Sequence, residues 1–231
     1  MSLKEQIEEF GLDSSCYEKL ERYKEILLDY NEKVNLTSIT DSDEVNIKHF
    51  LDSLSLFKTN YLIGNKKIID IGSGAGFPGM VIKIYNPDLK LSLVDSLNKR
   101  IKFLDKVKEE LDLEGIENLH ARAEELARNK DYRENFDIAT SRAVANLATL
   151  CEYCLPFVKV GGYFIAMKGP GYKEELEEAK SAIEILGSSL KEVIEIKLPD
   201  DIEHYLLIIK KERTMSSKYP RTGGKPRSKP L

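Results

Sequence analysis

Apolar positions change period along the chain, and that change divides it. In the first third they recur at three- and four-residue spacings, the signature of amphipathic helices. Leu3, Ile7 and Phe10 share one face until Gly11 interrupts them. A second set, Leu20, Tyr23, Leu27, Tyr30 and Val34, follows Ser15 and Glu18, whose spacing predicts a capping box. A third, Val45, Ile47, Phe50, Leu51, Leu54 and Phe57, follows Asp43 and Glu44. Residues 1–64 are therefore expected to form a helical cap, joined to the rest by a linker near Asn60 to Lys66.

From Lys66 onward the pattern becomes short apolar runs with helical stretches between them. The runs are Ile68 to Ile71, Leu91 to Val94, Leu119 to Ala121, Phe136 to Thr140 and Tyr163 to Met167. Segments such as Asn98 to Leu111 and Asn146 to Leu155 are long enough to cross over a sheet, which predicts a doubly wound α/β core over residues 65–212. Val193 to Leu198 and Tyr205 to Lys210 flank Pro199-Asp200-Asp201, too short a connection for a crossover helix, so they predict an antiparallel hairpin.

Composition excludes several classes. Hydrophobic residues are 42% and charged residues 32% of 231, ordinary for a globular chain and unlike a disordered one. No apolar run approaches the roughly 20 residues that cross a bilayer, and Met1 to Glu9 lacks a basic-then-apolar export pattern. A cytoplasmic protein without a membrane partner is expected. Three cysteines are too few and odd in number for a disulfide framework, and Cys151 and Cys154 lack the second ligand pair that a zinc site needs. No metal is expected. Net charge is −4, yet Lys210 to Leu231 carries +7 and leaves −11 on the rest. Residues 213–231 form a basic tail, read either as a solvated end or as a phosphate-binding surface.

The strongest local feature is Asp70-Ile71-Gly72-Ser73-Gly74-Ala75-Gly76-Phe77-Pro78-Gly79, a glycine cluster between a strand and a helix. Such a turn brings backbone amides close to a ligand and offers them to an anion. Asp95, 23 residues after Gly72, ends the next strand, where a carboxylate can accept both ribose hydroxyls of a nucleoside. The two strand ends together imply an adenosine-containing cofactor. A dinucleotide fingerprint would place glycine where Phe77 stands, which keeps NAD as the runner-up. The G-x-G-x-G spacing with Asp70 two residues ahead resembles motif I of S-adenosylmethionine-dependent methyltransferases. After the third strand, Glu124 and Glu125 are read as an adenine contact or as helix-start capping. After the fourth, Arg142 is expected at the crevice, as is Lys168 after the fifth.

The fourth strand end has neither the Asp/Asn-Pro-Pro-aromatic run of amino-group methyltransferases nor a nucleophilic cysteine. That leaves acceptors needing little activation. A ring nitrogen such as guanine N7 has an in-plane lone pair and no proton to remove, so alignment suffices and no catalytic acid or base is assigned.

Asn35-Leu36-Thr37, His49 to Leu54, Asp70 to Pro78, Arg122-Ala123-Glu124, Ser141-Arg142-Ala143, Lys168-Gly169 and Tyr219 to Pro226 together resemble the bacterial ribosomal RNA small subunit methyltransferase G family, also called glucose-inhibited division protein B. The resemblance implies a seven-stranded Rossmann-like class I methyltransferase with an N-terminal helical extension. It implies methylation of N7 of guanine 527 in 16S rRNA or in the small ribosomal subunit; a monomer is expected. It assigns the S-adenosylmethionine site to Gly72, Phe77, Ala123, Glu124 and Arg142, with Asp70, Gly74 and Asp95 added from the wider class. It favours RNA contact for Arg221, Lys225 and Arg227, with truncation after Glu212 expected to spare donor binding. His49 and Asp52, three apart on one helical face, are read as bonded locally or as touching substrate.

Overall fold

The computed structural model describes residues 1–231. Its sheet has seven strands in the order β3-β2-β1-β4-β5-β7-β6. They are β1 (Lys67–Ile71), β2 (Lys90–Asp95), β3 (Ile116–His120), β4 (Phe136–Arg142), β5 (Val158–Lys168), β6 (Ser188–Lys197) and β7 (Glu203–Lys211). The first five run parallel to one another; β7 runs antiparallel to β5 and to β6, the latter as the Pro199 turn predicts. The chain order reverses between β1 and β4, and at such a switch point a crevice opens beyond the carboxyl ends of the strands.

Both faces of the sheet are covered, which is why its central strands are continuously apolar. On β1, Ile68 joins one buried layer while Ile69 and Ile71 join the other. On β7, Leu206 and Ile208 alternate with Leu207 and Ile209 in the same way. One layer holds α5 (Gly79–Tyr85) and α6 (Asn98–Glu110); the other holds α7 (Ala123–Leu126), α8 (Leu147–Cys154) and α9 (Tyr172–Ile185). The polar edges are less legible: β3 begins three residues before its predicted start, because Glu117 and Asn118 on an edge strand hide the alternation. Likewise β6 begins five residues early, behind Lys191 and Glu192.

The N-terminal region comprises α1 (Leu3–Glu9), α2 (Tyr17–Val34), and a run of α3 (Ser42–Val45), a π-helical Asn46–Leu51, α4 (Asp52–Leu54) and a 3-10 turn Ser55–Lys58. It is no separate unit. Leu20, Tyr23, Leu27, Phe50 and Leu54 share one continuous apolar cluster with Met80, Phe103 and Leu104 of the sheet-covering helices. The capping box forms at Ser2 and Glu5, not at Ser15 and Glu18. Asp13 accounts for the difference, since its carboxylate takes both the amide and the hydroxyl of Ser15. Cys16 then stands at the cap with no side-chain bond.

The basic tail folds back across α8. Met215 and Tyr219 are buried in the second layer, and a short helix α10 (Lys225–Ser228) closes the chain. Arg133 donates to the carbonyls of Met215, Ser216 and Tyr219, and Arg128 to that of Pro220 at 2.8 Å. The backbone N–H and the guanidinium of Arg221 make four bonds of 2.7–3.1 Å to Glu152, which is fully buried.

Candidate functional site: a cleft at the switch point

A cleft of about 680 Å³ lies at the carboxyl ends of β1, β2 and β4, lined among others by Gly72, Gly74, Phe77, Asp95, Glu124 and Arg142. That volume suits a nucleoside-sized ligand.

Its floor is the glycine loop. Gly72, Gly74 and Gly76 all have positive φ, +73°, +59° and +95°, a backbone conformation that side chains rarely tolerate. Three side chains fix the loop, Tyr23 and Asp70 from outside the cleft and Asp95 from its wall. The hydroxyl of Tyr23 on α2 donates to the Ala75 carbonyl. Asp70 accepts from the Gly79 amide at 2.9 Å, and Asp95 from the Gly74 amide at 3.0 Å.

Asp70 acts on the loop and not in the cleft. Strand alternation turns it beneath α5, where it is fully buried and does not line the cleft. Burial pushes its carboxyl up to about 7, against the opposing Gly79 bond. It is a positioning residue for the loop. Asp95 lines the cleft, and the Gly74 amide, the Leu97 amide and Arg100 Nη1 bond it at 2.9–3.0 Å. A carboxylate offers about four acceptor sites, which leaves capacity facing the cleft.

Phe77 and Arg142 form the opposite end. Phe77 stacks on His49 with ring centres 4.3 Å apart and on Tyr23 at 5.6 Å, and the Arg142 guanidinium lies 5.2 Å from its ring centre. Arg142 donates to the Lys48 carbonyl at 2.8 Å, to Asp52 at 2.7 Å and to His49 Nδ1 at 3.0 Å. Asp52 takes His204 of β7 as its second partner. His49 and Asp52 are thus joined through Arg142 rather than to each other. Burial, with Arg142 adding to it, pushes the His49 imidazole down to about 3. The ring is neutral, and because Nδ1 accepts from Arg142, the proton sits on Nε2, which donates to Thr37 Oγ1 at 3.0 Å.

The neutral ring carries a pH signature. Unfolded, the imidazole binds a proton below about 6.5, while the folded protein excludes it down to about 3. The unfolded state then holds more protons, so stability is full above 6.5 and falls with pH through that window. Between pH 7 and 5 the stability difference between wild type and His49→Gln should shrink by about 2 kcal/mol, read from urea midpoints; a constant difference would contradict a neutral His49.

Beyond β3, Ala123 and Glu124 line the cleft, and the Glu124 carboxylate, 7% exposed, has no hydrogen-bond partner within the chain. The tail residues divide. Arg227 lines the cleft beside Gly224 and Ser228, and Lys225 is exposed outside it. Arg221 is half-buried, with its guanidinium paired to Glu152. Lys168 is also bonded within the chain: its ammonium, at the end of a side chain 9% exposed, donates to the Ala145 carbonyl at 2.8 Å and to Glu175 at 2.6 Å, steadying the loop after β4. Sequence reasoning missed His204, Arg100, Tyr153 and Ser228, which carry no local spacing signal. Cys151 and Cys154 are buried thiols raised by that burial.

Comparison with known proteins gives the family. The family pattern described as rRNA small subunit methyltransferase G matches residues 16–204. The chain belongs to that family. A protein named ribosomal RNA small subunit methyltransferase G from Alkaliphilus metalliredigens is 51% identical, covering 100% of this chain and 98% of its own. One of the same name from Clostridium tetani is 48% identical over 96% and 93%. Among solved structures, TYW2 from M. jannaschii in complex with AdoMet superposes with TM-score 0.53 at 14% identity, over 69% of this chain and 76% of that one. YcgJ from Bacillus subtilis does so with TM-score 0.54 at 14% identity, over 71% and 100%. At such identities the superpositions show the fold, which is the family's class I methyltransferase sheet. No helix of the family member described here is long and apolar enough to cross a membrane.

Proposed function

We propose that this chain transfers a methyl group from S-adenosylmethionine to N7 of guanine 527 in 16S rRNA, acting as a cytoplasmic monomer on the RNA or the small subunit. Family membership across nearly the whole chain carries this reading.

The residues of the cleft fit the donor. Among the amides of the glycine loop from Gly72 to Phe77 only that of Ala75 has no partner within the chain and is left for an anionic carboxylate, Asp95 has room for a ribose hydroxyl, and the buried unpartnered Glu124 suits an exocyclic amine. When bound, the donor supplies a methyl group already activated by its sulfonium. The protein's part is to bind, orient and exclude water. Phe77, held by His49 and Tyr23, gives an apolar surface beside the loop, and Arg142 fixes the cap to the end of β4. The titratable groups around Arg142 are committed: His49 is neutral and doubly bonded, and Asp52 is shared between Arg142 and His204. They hold a geometry rather than move a proton, which suits a ring nitrogen that has no proton to lose. The whole site works by alignment and electrostatics.

The test is transfer of labelled methyl from S-adenosylmethionine to unmodified small subunits and to free 16S rRNA, followed by nucleoside analysis. Label in 7-methylguanosine is the expected outcome. Label in another nucleoside, or none while the donor binds, would reject the proposed acceptor.

A further inference from the structure

The course of the C-terminal tail brings it to the donor cleft. The buried Arg221–Glu152 pair anchors it to α8, and the Thr149 hydroxyl donates to the Pro226 carbonyl at 2.9 Å. These bonds set Gly224, Arg227 and Ser228 into the cleft wall, on the side that Tyr153 and Glu124 also line. The Tyr153 phenol, raised mainly by burial, is raised further by Glu124 and lowered by Arg227. Neither Glu124 nor Arg227 has a side-chain hydrogen bond within the chain, although Glu124 is more than nine-tenths buried. Two complementary groups thus stand free on one stretch of the cleft, just beyond the end of β3.

A carboxylate only accepts hydrogen bonds, and a guanidinium only donates them. Adenine presents the matching pair on one edge, an amino donor beside a ring-nitrogen acceptor. We propose that Glu124 and Arg227 together read the adenine edge of the donor, Glu124 accepting from the amine and Arg227 donating to the neighbouring ring nitrogen. The C-terminal tail is then a wall of the donor pocket, and truncation after Glu212 removes donor binding instead of sparing it. This assignment rests on the donor named above.

It also predicts a base preference. Hypoxanthine carries a carbonyl oxygen where adenine has the amine, and that oxygen would face the Glu124 carboxylate, acceptor against acceptor.

The experiment is calorimetric titration of the full chain with S-adenosylhomocysteine and with its inosine counterpart, comparing wild type, Arg227→Ala and Arg227→Lys. Arg227 is exposed, so its replacement leaves the buried anchor of the tail in place. Loss of a charged hydrogen bond should weaken S-adenosylhomocysteine about tenfold or more in Arg227→Ala. Lysine should recover part of that loss, and wild type should prefer adenine over hypoxanthine. Wild-type affinity in Arg227→Ala, with only rRNA binding weakened and its salt dependence reduced, would overturn the proposal and make Arg227 an RNA contact. Failure of the wild-type chain itself to bind either compound would instead overturn the donor assignment.

Discussion

Replacing Arg142 by alanine is expected to lower the unfolding free energy by about 3–5 kcal/mol and to abolish donor binding. Asp52 is the reason for the first effect. Its side chain is 1% exposed, and Arg142 supplies a bond of 2.7 Å to one oxygen. Without Arg142 the carboxylate stays buried with His204 as its sole side-chain partner, and the Lys48 carbonyl and His49 Nδ1 lose their donor. Removing one member of a buried pair leaves an uncompensated charge, a far larger penalty than losing a surface ion pair. The second effect follows because the same guanidinium lies over Phe77 and lines the cleft. Guanidinium chloride midpoints and calorimetry read the two effects separately. Arg142→Lys should recover part of the stability and little of the binding, since an ammonium cannot span three partners in a plane. A loss below about 1 kcal/mol in the alanine variant would mean that Asp52 is not held by this pair.

Gly72→Val should reduce donor affinity by more than a hundredfold while the fold survives with a stability loss of about 2–4 kcal/mol. Gly72 lies at φ +73°, where a β-branched residue is strained. A Cβ there would also collide with the side chain of Val144, which lines the cleft from the other side. The collision pushes the loop or the β4 connection into the space the donor needs. Gly74→Ala is the control: at φ +59° its Cβ would meet only the Gly72 carbonyl, at 3.9 Å, so backbone strain of about 1 kcal/mol is the whole effect. Circular dichroism establishes folding and calorimetry the affinity. Val144→Ala should partly restore binding to the Gly72 variant. Unchanged affinity in Gly72→Val would take the loop out of the donor site.

What the sequence reveals depends on how local the cause is. The glycine loop, Asp95 and the strands buried on both faces are legible because each is written in a few adjacent residues: Gly72 to Gly76, or Ile68 to Ile71. The partners of Arg142 are not. Asp52 lies 90 residues before it and His204 lies 152 residues beyond Asp52, and only the sheet order brings β7 and the cap together. Asp70 shows the same limit at short range. Its place before the loop is plain in sequence, but strand alternation decides that it points beneath α5 rather than into the cleft. Charge count fails for the tail, since Arg221 adds to the basic total while being neutralised by a buried Glu152. Asp13 hides the true start of α2 for a similar reason, by capturing Ser15 first.

The three anchors of the glycine loop bear on the thermodynamics of recognition. Tyr23, Asp70 and Asp95 reach it from α2, β1 and β2, so its amides are set by contacts complete before any ligand arrives. Ordering a loop of this length on binding would cost about 1–2 kcal/mol per residue in backbone entropy. Here folding has already borne that loss, so the methionine end of the donor meets a rigid, preorganised surface. Affinity on this side of the cleft is therefore a property of the folded scaffold, including helices that never touch the donor.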